Sequence, residues 1–325
     1  MIEETEEIFW DRLARRAEET KRALSIGGIP QVVRLVAHVT SLCNMTCRYC
    51  SNRKKNSQIM TQELFRSLIQ RAGPQGVVHI TGGEPSLVPW LEKEIQGQKG
   101  NTRFAWNSNL LIMPQDKTLE SLFRVKTSLD DCHADRWNEL TGGDHFDRVV
   151  ENIKRCCQAL SHVSVSFCAT HQNAFRFDNF IRFCQTEFPG LFSISASFYK
   201  GKNKSLILTR DDVDQLFFYA NELDPVSQQI FKTTHYRGGN NFPHNIEIPC
   251  YLSMTERLYD EWGDEYYCSH LFRDKVAPPG NPGKDSHCVT GCNYRFVKYN
   301  QEIHEYLSKG RHVEEMLSEK VSEED

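Results

Sequence analysis

The chain has 325 residues, a formal net charge of −4, and 39% hydrophobic against 25% charged residues. That is apolar sequence enough for one large domain or two ordinary ones; the net charge weighs against a nucleic-acid footprint, and no apolar run reaches the length of a membrane span. Twelve cysteines follow an acidic, amphipathic start, MIEETEEIFWDRLARR, without the basic end and apolar centre of a secretory signal, so a reducing cytoplasmic setting and metal ligation are expected rather than disulfides.

Residues 1–30 are predicted as an N-terminal segment. Its helix, over 6–24, puts Leu13, Ala17 and Leu24 on one face and stops at Gly27, Gly28 and Pro30. Residues 32–40 read as an apolar strand leading into a loop with Cys43, Cys47 and Cys50. Thr61 caps a helix to about residue 71, with Leu64 and Leu68 on one face. A buried strand over 77–81 ends in Gly82-Gly83-Glu84-Pro85, and a helix follows over 87–94. A third strand, 102–106, ends in Asn107-Ser108-Asn109. A helix over 116–123 and a strand over 124–129 lead to Asp130-Asp131. The pattern continues with a helix over 147–160, burying Val149, Val150, Ile153, Cys157 and Leu160. Then come a strand over 162–169, a helix over 177–187, a strand over 191–199 and a helix from Thr209 to about 221.

Strands alternating with helices over residues 31–225 imply an α/β fold with a parallel sheet and outer helices. Six such units predict a partial (β/α)6 barrel, with active groups at the C-terminal ends of the strands. Residues 226–299 change texture. They comprise a Gly/Asn/Pro/His linker, a β-hairpin over 246–268 turning at Glu261-Trp262-Gly263-Asp264, and a Pro/Gly loop. Residues 300–325 form a charged tail, helical and then frayed.

The C-x3-C-x2-C triplet can wrap three thiolates around one face of a metal cluster. Zinc and ordinary [4Fe–4S] sites take four protein ligands, so three close cysteines leave one iron open to chelate a further molecule. A structural metal knot is the alternative. In Gly82-Gly83-Glu84 the glycines permit close backbone approach, and the carboxylate can accept from an ammonium group; in isolation the motif is a turn. Cys250 and Cys268 bracket the hairpin, and Cys288 and Cys292 form a C-x3-C pair. Four such thiolates suit zinc or a [4Fe–4S] cluster, with His270 and His287 as substitute ligands or plain loop residues. Cys156, Cys157, Cys168 and Cys184 fall on predicted helices and strands, where free cysteine is readily buried. Arg53-Lys54-Lys55 reads as a solvated run, or as a contact for an anionic substrate.

Cys43-x3-Cys47-Arg48-Tyr49-Cys50, Gly82-Gly83-Glu84-Pro85 and Ser128-Leu129-Asp130, each ending a strand in order, together resemble the radical SAM superfamily over residues 32–295. The resemblance implies that Cys43, Cys47 and Cys50 hold a [4Fe–4S] cluster whose open iron binds S-adenosylmethionine. Reductive cleavage then gives a 5′-deoxyadenosyl radical that abstracts a substrate hydrogen. It also implies that Tyr49, Gly82, Gly83, Glu84, Asn107, Asn109 and Ser128 contact S-adenosylmethionine. The Asn107–Asn109 stretch departs from the family pattern, with Ser108 where an Asn is usual and Asn109 where a Gly is usual. Cys132, just beyond a strand end, is read as a hydrogen-atom donor. Gly263 to Cys268 resembles the start of a SPASM or twitch extension. With four cysteines, the shorter twitch form fits, which implies an auxiliary [4Fe–4S] cluster on Cys250, Cys268, Cys288 and Cys292. A low-potential donor such as flavodoxin or ferredoxin is the expected partner. Oxidative modification of a peptide or protein is the first expectation for substrate. A radical dehydrogenation or rearrangement of a small sugar or nucleotide is the second, and a non-catalytic iron–sulfur or zinc-binding interaction protein the alternative of another class.

Overall fold

The computed structural model describes residues 17–26, 34–50, 57–98, 102–199, 203–222, 250–268 and 299–309, with 201 and 272 added and 19 and 75 left out. The chain divides into two compact units. One holds the described residues within Arg34–Asn240 and Leu258–Glu265, and the other those within Met1–Val33, Asn241–Arg257 and Tyr266–Asp325.

The first unit is built on β1 (Arg34–His38), β2 (Val77–Thr81), β3 (Arg103–Ser108), β4 (Leu122–Ser128), β5 (Val163–Ala169) and β6 (Ser193–Phe198). These pair in parallel in chain order. Among the described residues the sheet runs β6-β5-β4-β3-β2-β1 and continues past β1 into β7 (Glu256–Tyr259) and β8 (Glu265–Tyr266). The helices between are α1 (Gln62–Ala72), α2 (Leu91–Gly97), α3 (Asp116–Leu119), α4 (Ala134–Thr141), α5 (Phe146–Ala159), α6 (Phe177–Glu187) and α7 (Arg210–Glu222). This is the expected α/β partial barrel.

Strand alternation gives the sheet two unlike faces. Leu35, Val78, Ile80, Phe104, Trp106, Val125, Val165 and Phe167 are buried. Phe104 stacks on Phe65 of α1 at 6.5 Å, and Phe167 meets Phe177 and Phe180 of α6 at 4.9 and 4.7 Å. Each such ring contributes about 1.5–3 kcal/mol by leaving water. The other face is polar. Ala105 pairs with Arg124, Asn107 with Lys126, Lys126 with Ser164 and Ser128 with Ser166. Ser166 pairs with Ser195 and Cys168 with Ser197. With His79, these side chains form a serine-rich, basic surface to which the six parallel strands add no carboxylate.

Local chemistry moves several boundaries from expectation. Pro85 opens a 3-10 turn, Pro85–Leu87, capped by Glu84, so the following helix begins only at Leu91. The helix from Asp116 ends at Leu119, because β4 starts at Leu122. In α5 it is Cys156, not Cys157, that is buried. Leu252–Thr255 is a turn of helix, so the expected hairpin is reduced to β7, β8 and the turn between.

In the second unit, Ala17, Tyr251, Met254, Tyr299 and Ile303 form a small core with Cys250 packed against it. Thr20 Oγ1 lies 2.8 Å from the Tyr299 hydroxyl. The start of the predicted C-terminal tail is therefore packed helix through Lys309.

Candidate functional site

The cysteine loop leaves β1 and is tied down on two sides. On one side Met60 N donates to Val39 O at 2.8 Å, and Thr40 Oγ1 to Gln58 O at 2.8 Å. On the other, Thr46 N and Arg48 N donate to Thr141 O and Leu140 O at 3.0 and 2.9 Å. Those carbonyls end α4, where helical carbonyls lack partners of their own. The carboxyl end of α4 thus holds the far side of the loop.

Gly82 and Gly83 bring the end of β2 against the same loop. Gly83 N donates to Thr40 O and Glu84 N to Leu42 O, both at 2.6 Å. A Cβ on Gly83 would stand 2.0 Å from Leu42 O. The close approach that the glycines permit is thus first of all to the cysteine loop's own backbone.

Glu84 is wholly buried. Its carboxylate accepts from Ser108 Oγ at 2.8 Å, Asn109 N at 2.8 Å and Ser86 N at 3.0 Å. Burial pushes its pKa up, and these donors oppose the shift. The side chain ties β2 to β3. Ser108, which departs from the family's usual residue, fits here because its hydroxyl serves that tie. Asn109 Nδ2 donates to Asn44 Oδ1 at 2.8 Å and lies 3.9 Å from Cys43 Sγ. Its Oδ1 accepts from Leu111 N across Leu110, whose φ is +56°. Asn107 is half-buried on the polar face, and Ser128 is exposed at the end of β4.

Tyr49 donates its hydroxyl to Asp130 Oδ2, and Cys168 N donates to Asp130 Oδ1 at 2.5 Å. Asn173 Nδ2 donates to the Asp130 and Cys168 carbonyls at 2.7 and 2.9 Å. Burial pushes Asp130 up to about 6, against the Tyr49 and Cys168 hydrogen bonds. Cys168 is therefore a half-buried residue of the polar face beside Asp130, not the core cysteine expected; Cys156 and Cys184 are buried as expected. Cys132 has Asp131, Arg176 and Asp178 as electrostatic neighbours, and its sulfur lies 3.3 Å from His133 Nδ1. Asp131 is buried and paired with Arg176, whose Nε is 3.0 Å away. Sequence reading had no signal for Asn173 or Arg176, which arrive from beyond β5.

Cys43, Cys47 and Cys50 are all half-buried. Burial first, then the nearby Asp130, Cys50 and Cys43, push Cys47 up to about 12, against the Tyr49 hydrogen bond. Such thiols ionise when a metal takes the proton's place. Among the described residues, three ligand atoms come within 4.8 Å of one another at Asp131, Cys132 and His133, not at the triplet. The triplet instead offers three half-buried thiols on one loop, the donor set for a [4Fe–4S] cluster with one iron left open. The residues present fit a [4Fe–4S] cluster. At the proposed auxiliary site, Cys250 and Cys268 are half-buried and Asn300 Nδ2 lies 3.9 Å from Cys250 Sγ. Cys288, Cys292, His270, His287 and the Arg53–Lys55 run lie outside the described residues.

A parallel partial barrel carrying three thiols beside a glycine-rich strand end defines a cluster-dependent enzyme class. Residues 38–184 match the Radical SAM superfamily. The chain is 32% identical over 276 residues to a probable GTP 3′,8-cyclase of Sulfurisphaera tokodaii, covering 78% of this chain and 74% of that one. It is 33% identical over 129 residues to the GTP 3′,8-cyclase of Alkaliphilus metalliredigens, covering 36% of this chain and 40% of that one. The chain belongs to the radical SAM superfamily, which implies a [4Fe–4S] cluster and S-adenosylmethionine. Its fold is similar to Streptococcus suis SuiB bound to its precursor peptide SuiA. The TM-score is 0.59 at 16% identity, over 88% of this chain and 69% of that one. It is also similar to anSMEcpe with bound AdoMet and a peptide, with a TM-score of 0.55 at 17% identity over 83% and 81%. At such identities the likeness is one of fold. Among the described residues, no helix is long and apolar enough to cross a membrane.

Proposed function

We propose that this radical SAM enzyme acts on an anionic small molecule, a purine nucleotide, and rearranges it. The observation that carries this reading is the polar face of the sheet. Lys126, Arg124 and His79 stand there among Ser164, Ser166 and Ser195, and the six parallel strands add no carboxylate. Fixed cations with hydroxyl donors suit phosphate oxygens and a sugar. The relatives named GTP 3′,8-cyclases support the same class. Peptide modification, the first expectation from sequence, gives way to this second one, because the peptide-bound neighbours share only the fold.

When bound, the reduced cluster supplies the electron that cleaves S-adenosylmethionine and so the radical that takes a substrate hydrogen. The chain's own residues set the geometry. Cys43, Cys47 and Cys50 hold the cluster, while Gly82, Gly83, Asn107, Asn109, Ser128 and Tyr49 face or frame the cofactor. Glu84 and Asp130 fix the strand ends on which those residues sit. Lys126 and Arg124 hold the anion within the barrel. Cys250, Cys268, Cys288 and Cys292 hold an auxiliary cluster, and a flavodoxin or ferredoxin supplies the electron.

Anaerobic reconstitution followed by a 5′-deoxyadenosine assay tests this. GTP and other nucleotides are expected to raise 5′-deoxyadenosine formation and to be consumed, whereas short peptides are not. Stimulation by peptides alone would overturn the substrate reading. Equal 5′-deoxyadenosine from wild type and from a variant lacking all three loop cysteines would overturn the cluster assignment. An iron count near that of one cluster, unchanged by Cys250→Ala and Cys268→Ala, would remove the auxiliary cluster.

A further inference from the structure

A carboxylate far along the chain reaches the root of the cysteine loop. The turn after β7 is closed by Asp260, whose Oδ1 accepts from Trp262 N at 3.2 Å and Asp264 N at 2.9 Å. Gly263 completes it with φ +95° and its N–H on Asp260 O at 3.0 Å. This geometry turns Glu261 inward, leaving it 3% exposed. Ser41 Oγ donates to Glu261 Oε1, and His38 Nδ1 lies 3.1 Å from Oε2. His38 ends β1, and Ser41 stands two residues before Cys43. Both carboxylate oxygens are engaged, and both partners are buried. The turn itself is braced by Arg71 of α1, whose Nη1 lies 2.9 Å from Glu265 Oε2, and by Tyr259, whose hydroxyl donates to Glu265 at 2.6 Å.

Between β1 and Cys43 the backbone is held by Ser41 N on Gln58 O at 3.2 Å and by Gly83 N and Glu84 N on Thr40 O and Leu42 O, and the Ser41 side chain adds a tie to a carboxylate far along the chain. The α4 carbonyls hold the far part of the loop, at Thr46 and Arg48. On the near side the Ser41 hydroxyl is held by Glu261. A hydrogen bond to a buried carboxylate is stronger than one between neutral groups, and breaking it strands a desolvated charge. We propose that Glu261 is a positioning residue for the iron–sulfur site, which through Ser41 sets the Cys43 thiol where the cluster requires it. This rests on the reading that Cys43, Cys47 and Cys50 hold that cluster. It gives the turn at 260–264 a task in the barrel's own site, separate from any ligand role of Cys268.

The test compares reconstituted Glu261→Ala, Glu261→Gln, Ser41→Ala and the Ser41→Ala/Glu261→Ala pair with wild type. Readouts are iron and sulfide per chain, the rate of iron loss to a chelator, and the electron paramagnetic resonance spectrum of the reduced protein with and without S-adenosylmethionine. Glu261→Ala and Ser41→Ala are each expected to lose iron about tenfold faster than wild type, with a changed spectrum. The pair is expected to be no worse than either single variant, and Glu261→Gln, which keeps an oxygen for Ser41, is expected to fall between. Urea unfolding of the iron-free proteins separates this from general loosening. If Glu261→Ala does not fold, Ser41→Ala and Glu261→Gln decide. Wild-type iron loss and spectrum in both, or additive effects in the pair, overturns the proposal. A Cys43→Ala/Cys47→Ala/Cys50→Ala variant is the reference. If it keeps wild-type iron, the cluster reading itself fails. If it loses iron while the Glu261 and Ser41 variants do not, only the positioning role fails.

Discussion

Replacing Glu84 distinguishes a strut from a ligand-binding group. Glu84→Ala strands three donors, Ser108 Oγ, Asn109 N and Ser86 N, in a site from which water is excluded. A stranded buried donor costs about 1–3 kcal/mol. Removing a carboxyl whose ionised form burial already disfavours returns part of that. The net expectation is a loss of about 3–5 kcal/mol, a large share of the roughly 5–15 kcal/mol that holds a protein folded. Glu84→Gln keeps Oε1 for Ser108 and Ser86 but sets an amide N–H against Asn109 N, for a loss of about 1–3 kcal/mol. Urea unfolding of the iron-free protein measures both. Ser108→Ala should cost clearly less in the Glu84→Ala background than in wild type, because the two share one hydrogen bond. If Glu84→Ala unfolds at the wild-type midpoint while affinity for S-adenosylmethionine falls, the carboxylate is a ligand group and the reasoning is wrong.

Gly83→Ala places a methyl against Leu42 O and should separate the end of β2 from the cysteine loop, costing about 2 kcal/mol or more and lowering the iron retained on reconstitution; full iron retention would count against that packing. Asp131→Ala leaves the buried Arg176 guanidinium unpaired and should cost about 3–5 kcal/mol in urea unfolding, with Arg176→Met in the same background recovering part of it. Asp130 is pushed up to about 6 from 3.8, so its contribution to stability is full below about pH 4 and is lost as pH rises through 6. The iron-free protein should therefore lose about 3 kcal/mol across that window, a slope that Asp130→Asn removes; equal slopes would refute the shift. Lys126→Met, on the polar face, should raise the KM for a nucleotide about tenfold and leave S-adenosylmethionine affinity unchanged. No change in KM would take the anion off that face.

Much of the barrel was legible in advance. The apolar runs at 77–81 and 162–169 and the amphipathic pattern at 177–187 contain their own answer, because burial on one or both faces repeats with the period of the element. The cysteine triplet and the glycine pair were legible for a related reason. Their chemistry depends on spacing within a single loop. Boundaries were less legible where two local signals compete, as at Pro85, where a 3-10 turn displaces the start of α2. Cys156 and Cys157 differ by one step around a helix, and the pattern alone chose the wrong one.

What the sequence by itself determined is the order of strands and helices, the thiol loop and the family to which they belong. Tertiary structure alone decided the partners of the charged groups. Glu84 receives hydrogen bonds from Ser108 and Asn109, partners that its glycine-rich motif does not announce. Asp130 meets Tyr49, Asp131 meets Arg176, and Glu261 meets Ser41 from the turn after β7. The reason is physical. Local pattern follows from one residue's preference and its near neighbours, whereas a buried carboxylate must be satisfied by whichever donors the fold brings to it, and those come from any distance along the chain.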